Sequence, residues 1–284
     1  MVLEEFMKID VVEHRPYVSF FLGFFFTFLG FFVALFFFRN AMSVAMVFLT
    51  TLFLVPLMIK LIKIEEDRER RDGLRHFFHN HADVFQVYLF SFLGIFVAFV
   101  VLGVATNAYD QPIYNDAFSF QSKFLRLEHG LTTERVKEFV ADEPNPTLSQ
   151  FAAIFVRNSV VLVLSFALAF FYGASAIFLI VLNASVFANF IVLVGAFITQ
   201  TLGEKILALL LFMVHLLPEL SAFLVAAIAG GVVSKALIKE SRHSLEFRNV
   251  FKDSTMLIAI AAGLLLIGAF LETFVTTRLF AMFF

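Results

Sequence analysis

The chain contains no cysteine and no tryptophan, and only 15% of its 284 residues are charged. Without cysteine there is no disulfide, no thiolate metal site and no cysteine nucleophile. Without tryptophan, an aromatic belt at a membrane surface falls to the 5 tyrosines. A formal net charge of −2 excludes a strongly basic nucleic-acid-binding surface. What the chain has in excess is apolar. Hydrophobic residues make up 61% of it, and 43 residues are phenylalanine. Soluble domains hold about 45–50% apolar and about 25% charged residues, so the surplus has to face lipid.

Crossing a hydrocarbon core of ~30 Å takes ~20 apolar residues in a helix. Residues 17–38, 41–62 and 84–105 each qualify, with Arg39-Asn40 as a tight turn between the first two. Residues 158–203 carry no charge, which suits two crossings joined near Asn183. Residues 205–235 add a span interrupted only by His215, Pro218 and Glu219, and 254–271 form the last, followed by an apolar tail. The expected fold is therefore all-α, a polytopic transmembrane helix bundle of about seven spans. Before the first span, Glu4, Glu5, Asp10 and Glu13 outnumber Lys8 and Arg15. No small-residue cleavage pattern follows, so the first span reads as retained rather than as a cleaved signal.

Residues 106–157 are polar enough to leave the membrane. One short helix is expected there, over about 133–141, stopped by Asp142-Glu143-Pro144-Asn145-Pro146. Thr147-Leu148-Ser149-Gln150 then has the form of a capping box that starts the next helix. This divides the chain into a three-span part (1–105), an external cap (106–157) and a four-span part (158–284). Charge asymmetry orients it. The 60–83 loop carries Lys60, Lys63, Arg68, Arg70, Arg71 and Arg75, and the 235–253 loop carries Lys235, Lys239, Arg242, Arg248 and Lys252. The long polar segment is instead dominated by acids, from Asp110 and Asp116 to Asp142 and Glu143. Positive loops stay inside, so both basic loops are expected in the cytoplasm, the N-terminus in and the C-terminus out.

Three groupings carry candidate chemistry. Glu65-Glu66-Asp67-Arg68-Glu69-Arg70 and Phe77-Phe78-His79-Asn80-His81 match the EExxxR and FxxxH patterns of intramembrane CAAX proteases. They crowd into one charged loop with no later HxxxN, and in a segment this rich in Glu and Arg a solvated loop is the favoured reading. His76, His79 and Asp83 share a helical face and are the only candidate metal ligands, suited to zinc. Contact with lipid headgroups is the simpler use of such a juxtamembrane segment. His215 and Glu219 lie i, i+4 on one face in mid-span, where ionisable groups are costly and turn toward the bundle interior or a wet cavity. Pro218 removes a backbone donor beside them. Asn158 and Asn183 are further polar groups bracketing the preceding apolar run, and interhelical hydrogen bonding explains all four as readily as a functional site does. Gly230 and Gly231, at the end of the Ala226–Ala229 stretch, would let helices approach closely.

Over residues 151–239 the order of features resembles the stage II sporulation protein M family of polytopic membrane proteins. The elements are Arg157-Asn158 opening a span, a break at Gly173, Leu182-Asn183-Ala184, then His215-Leu216-Leu217-Pro218-Glu219-Leu220 with Gly230-Gly231 beyond. The sequence departs from the family pattern at Arg157, Ala184 and Leu216. The resemblance implies a multi-pass protein of the cell membrane without catalytic activity or cofactor, a scaffold or assembly component. It implies other membrane or envelope proteins as partners besides the bilayer, leaves a homo-oligomer open, and involves no nucleic acid. The alternative is a small-solute or ion transporter or channel built on His215 and Glu219, and a more distant one an intramembrane hydrolase.

Overall fold

The computed structural model describes residues 15–72, 77–129, 146–172, 176–198, 201–239 and 244–283, and every regular element among them is helical. Helix α1, Val18–Phe37, ends in a 3-10 turn at Arg39–Ala41, and α2, Met42–Asp72, runs back. Helices α3, Phe77–Tyr109, and α4, Gln111–His129, follow, then α5, Leu148–Tyr172, and α6, Ala176–Ile198. Helix α7 is Leu202–Lys239 and α8 is Leu245–Phe270. The last helix continues through a π-helical stretch, Leu271–Thr276, into α9, Thr277–Phe283. Seven helices are long and apolar enough to cross a membrane, the last running from Leu245 to Phe283.

The helix starts have local causes. At α5, Thr147 and Gln150 form the expected reciprocal box: the Thr147 N–H donates to Gln150 Oε1 at 3.0 Å, and the Gln150 N–H donates to Thr147 Oγ1 at 3.2 Å. Thr201 and Glu204 repeat the device at α7, with distances of 3.1 and 3.2 Å. Ser244 caps α8 by accepting from the Phe247 N–H at 3.1 Å. Asp110 accepts from the Ile113 N–H at 3.1 Å at the head of α4. There Pro112 occupies the first turn, where its missing N–H costs nothing.

Four expectations about the chain's course are corrected. The segment after the third span is not mainly loop, because α3 continues to Tyr109 and α4 fills 111–129. Its polar residues hide an amphipathic pattern, with Tyr114, Ala117, Phe118, Gln121 and Leu125 buried along one face. Helix α5 starts at Leu148, ten residues before Asn158, so Arg157 and Asn158 lie inside a span and not at its edge. The two crossings of the charge-free run are separated at 173–175, outside the described residues, and Asn183 lies within α6. The last span does not end at Leu271, so the apolar tail is its outer continuation. The expected helix at 133–141 lies outside the described residues.

One apolar core links both halves, from Phe26 and Met46 through Phe92 and Phe99 to Leu220, Phe223 and Leu257. Helix α1 packs on α2 and α3, α6 sits against α3, and α7 is clasped between α5 and α8. At the α1–α3 crossing, a Cβ on Gly94 would collide with the Phe20 carbonyl oxygen. Only glycine allows these backbones to meet. Helix α4 lies back on α2, α3 and α6. The Tyr114 hydroxyl donates to Asn189 Oδ1 at 2.8 Å, Asn189 Nδ2 donates to Ser122 Oγ at 3.1 Å, and Gln121 Nε2 donates to Ser185 Oγ at 3.1 Å. Burial pushes the Tyr114 phenol up to about 12, which keeps the donor proton in place.

The start of α4 and the α1–α2 turn share one end of the bundle. Arg39 Nε reaches Asp116 Oδ2 at 3.4 Å, and the Ser43 and Ser119 hydroxyls meet at 2.9 Å. The charge asymmetry of the loops predicts that this end is external. In this cysteine-free chain, Asn40→Cys and Tyr109→Cys are expected to react with an impermeant thiol reagent added outside intact cells, and Leu245→Cys only after lysis. Labelling of Asn40→Cys and Leu245→Cys from the same side would refute that orientation.

Candidate functional site

Helices α7 and α8 run antiparallel, and their facing positions meet in steps of one turn. The Ser254 hydroxyl, on α8, donates to the Ala229 carbonyl of α7 at 3.3 Å. Further out, Gly268 lies against Glu219, where an added Cβ would strike Glu219 Cγ. One turn beyond, Glu272 comes close enough to Glu219 for the two carboxyl groups to act on each other. At the next step, His215 Nδ1 and Thr276 Oγ1 are 3.0 Å apart. Two i, i+4 pairs, His215 with Glu219 and Glu272 with Thr276, thus form a polar ladder across one interface. The π-helical stretch spans the second pair from just before Glu272 to Thr276 itself. Such wide turns change which residues face a neighbour and recur at functional sites.

Helix α5 supplies the third side. Asn158 Nδ2 donates to Glu219 Oε1 at 2.7 Å. The adjacent Arg157 guanidinium is close enough to Glu272 to act on its charge. Glu219 is only 4% exposed, so its acceptors depend on these partners and not on water. His215 also meets the Phe212 ring edge-on, with centroids 6.0 Å apart. Pro218 sits inside α7 without ending it. Its missing N–H leaves the carbonyl of Val214, one turn back, without the usual helical donor.

Of the residues singled out in sequence, Asn158 and Glu219 touch, and His215 joins them along α7. Asn183 does not: no hydrogen bond among the described residues ties it to the cluster. The asparagine that anchors α6 is Asn189, buried and bonded to α4. A Cβ on Gly230 would meet the Phe166 carbonyl oxygen and come within 3.0 Å of Ala169 Cβ, so Gly230 marks the α5–α7 contact, and Gly231 is buried beside it. Gly173 and His76 lie outside the described residues, as do the side chains of 65–70, His79 and His81. No group of three metal-ligating side chains occurs among the described residues.

Sequence reading missed Glu272, Thr276 and Arg157 as members of the cluster. The signal was present, since Glu272 is the only charged residue between Asp253 and Arg278. A lone acid in so long an apolar run is the feature that drew attention to Glu219.

A family model described as stage II sporulation protein M matches residues 88–277, about two thirds of the chain. The chain belongs to that family. The matched segment begins in α3 and ends just past Thr276, so every member of the polar cluster falls inside it. The α1–α2 hairpin lies outside the stage II sporulation protein M match. Comparison with the curated proteins and with the solved structures yields no match.

Proposed function

We propose that this member of the stage II sporulation protein M family is a non-catalytic, multi-pass scaffold of the cell membrane that assembles other membrane or envelope proteins. The observation that carries this reading is how the intramembrane polar groups are used. Asn158 bonds to Glu219 between α5 and α7, Glu272 of the last helix faces Glu219, and His215 bonds to Thr276. That is the pattern of helix-joining contacts, worth about 0.6–2 kcal/mol each. Ser221, the hydroxyl closest in sequence to Glu219, donates to the Leu217 carbonyl of its own helix at 2.7 Å. It is therefore turned away from the role of a base-activated nucleophile.

A second reading, ion- or solute-coupled transport, is favoured by one specific observation. The buried Glu219, next to a proline on α7, faces Glu272 in the π-helical stretch of the last span, and intramembrane acids commonly mark proton or ion paths. The deciding experiment compares two preparations. Tagged chain crosslinked in its native membranes is expected to co-purify defined envelope proteins in fixed ratio, equally for wild type and Glu219→Gln. Purified chain reconstituted alone in liposomes is expected to give no flux. A pH-dependent flux abolished by Glu219→Gln would replace the scaffold with the transporter.

A further inference from the structure

We propose that the outward face of α5 docks a transmembrane helix of a partner protein, one that carries an aspartate or glutamate in mid-span to meet Arg157. The inference deepens the scaffold reading and rests on it.

Helix α5 is the least enclosed of the seven spans. Only 17% of its apolar stretch is buried, against 33% or more in each of the others. Val156, Val160 and Val163 are 62, 56 and 61% exposed, and Leu164 is exposed beside them. They stand at i, i+4, i+7 and i+8, which is one face of the helix. Valines hold few rotamers in a helix, so covering them costs little side-chain freedom. Apolar residues alone would make this an ordinary lipid-facing surface, and Arg157 sets it apart. It is exposed at the margin of that face, one residue before Asn158, which turns inward to Glu219.

Depth and charge select the occupant. Arg157 lies about 4 Å along the axis from the middle of the span Leu148–Phe171. The edge of a ~30 Å hydrocarbon core is then about 11 Å away, farther than an arginine side chain extends. A lipid phosphate has the right charge at the wrong depth. A second copy packed through the same face about a twofold axis would set one Arg157 against the other. A partner's carboxylate has both the charge and the depth. Glu272 acts on Arg157 from the last helix, but the guanidinium is a planar fork with five N–H donors, so it can hold a second carboxylate beside the first. An acid in the partner's span is costly in lipid for the same reason as the arginine, and pairing removes both costs.

The test places the purified full chain in liposomes of zwitterionic lipid with a synthetic single-span helix of leucine and alanine that carries one aspartate at its middle. Energy transfer between dyes on the two reads association. The aspartate helix is expected to bind about tenfold more tightly than the same helix with leucine there, the scale of one interhelical polar contact. Arg157→Leu should bind both helices alike. Val160→Trp, which fills the face and leaves Arg157 in place, should bind the aspartate helix at least about tenfold more weakly. If Arg157→Leu fails to fold, Val160→Trp decides. Equal binding of the two helices by the wild type overturns the proposal, and so does a folded Arg157→Leu chain that still prefers aspartate. Displacement of the aspartate helix by anionic phospholipid, or energy transfer between two copies of the chain that Val160→Trp abolishes, overturns it in favour of a lipid or a homodimer. In native membranes, envelope proteins that co-purify undiminished with Val160→Trp would strike this docking face and leave the scaffold standing. The absence of any such protein from the wild type would strike the scaffold reading itself.

Discussion

Glu219→Leu is expected to destabilise the folded bundle by about 3 kcal/mol, the scale of breaking a buried polar or ionic contact by removing one partner. Leucine matches the apolar character of the span and even improves its fit to lipid by composition. The loss comes from what is left behind. Asn158 keeps an amide donor without its acceptor, and Glu272 loses the carboxyl group it faces, at a position where Glu219 itself is buried. Glu219→Gln keeps the shape, one acceptor for Asn158 and a donor for Glu272, and is expected to stay within about 1 kcal/mol of wild type at neutral pH. Reversible unfolding in mixed detergent micelles measures both. Equal stabilities for the leucine and glutamine variants would mean that the cluster contributes nothing to holding α5, α7 and α8 together.

Gly94→Val should be comparably severe, at about 2–3 kcal/mol, through shape alone. The atom in its way is a backbone carbonyl oxygen, that of Phe20, which cannot swing aside as a side-chain tip can. The α1–α3 contact must open along its length, and the buried Phe26, Phe92 and Ile95 around it lose packing. Gly263→Ala is the matched control. Nothing lies within 4 Å of a Cβ at Gly263, and alanine is the better helix former by up to about 1 kcal/mol. That variant should be neutral or slightly stabilised. A Gly94→Val protein that melts with the control would show that α1 is not held against α3 in this way.

Much of this molecule is legible along the chain. Uninterrupted apolar stretches dictate helices, since every backbone N–H and C=O in lipid must bond within its own segment. Seven helices of spanning length follow from the lengths of those stretches and the parity of the charged loops. The Thr147–Gln150 cap and the Arg39-Asn40 turn are equally local, because their partners are three or four residues apart. His215 and Glu219 stand out for the same reason, as ionisable groups inside an apolar run.

Only the tertiary structure decided which polar groups meet. Asn158 and Asn183 are equivalent candidates along the chain, yet only Asn158 reaches Glu219, because α5 lies along α7 while α6 turns Asn189 toward α4. Glu272 looks like the polar edge of a span until the last helix is seen to continue to Phe283, with a π-helical stretch that sets it opposite Glu219. Helix α4 reads as an acidic loop until its buried face is matched to α2, α3 and α6. The physical reason is common to all three. Sequence states the cost of putting a polar group in an apolar place. The partner that offsets the cost lies on another helix, at a distance along the chain that no local pattern encodes.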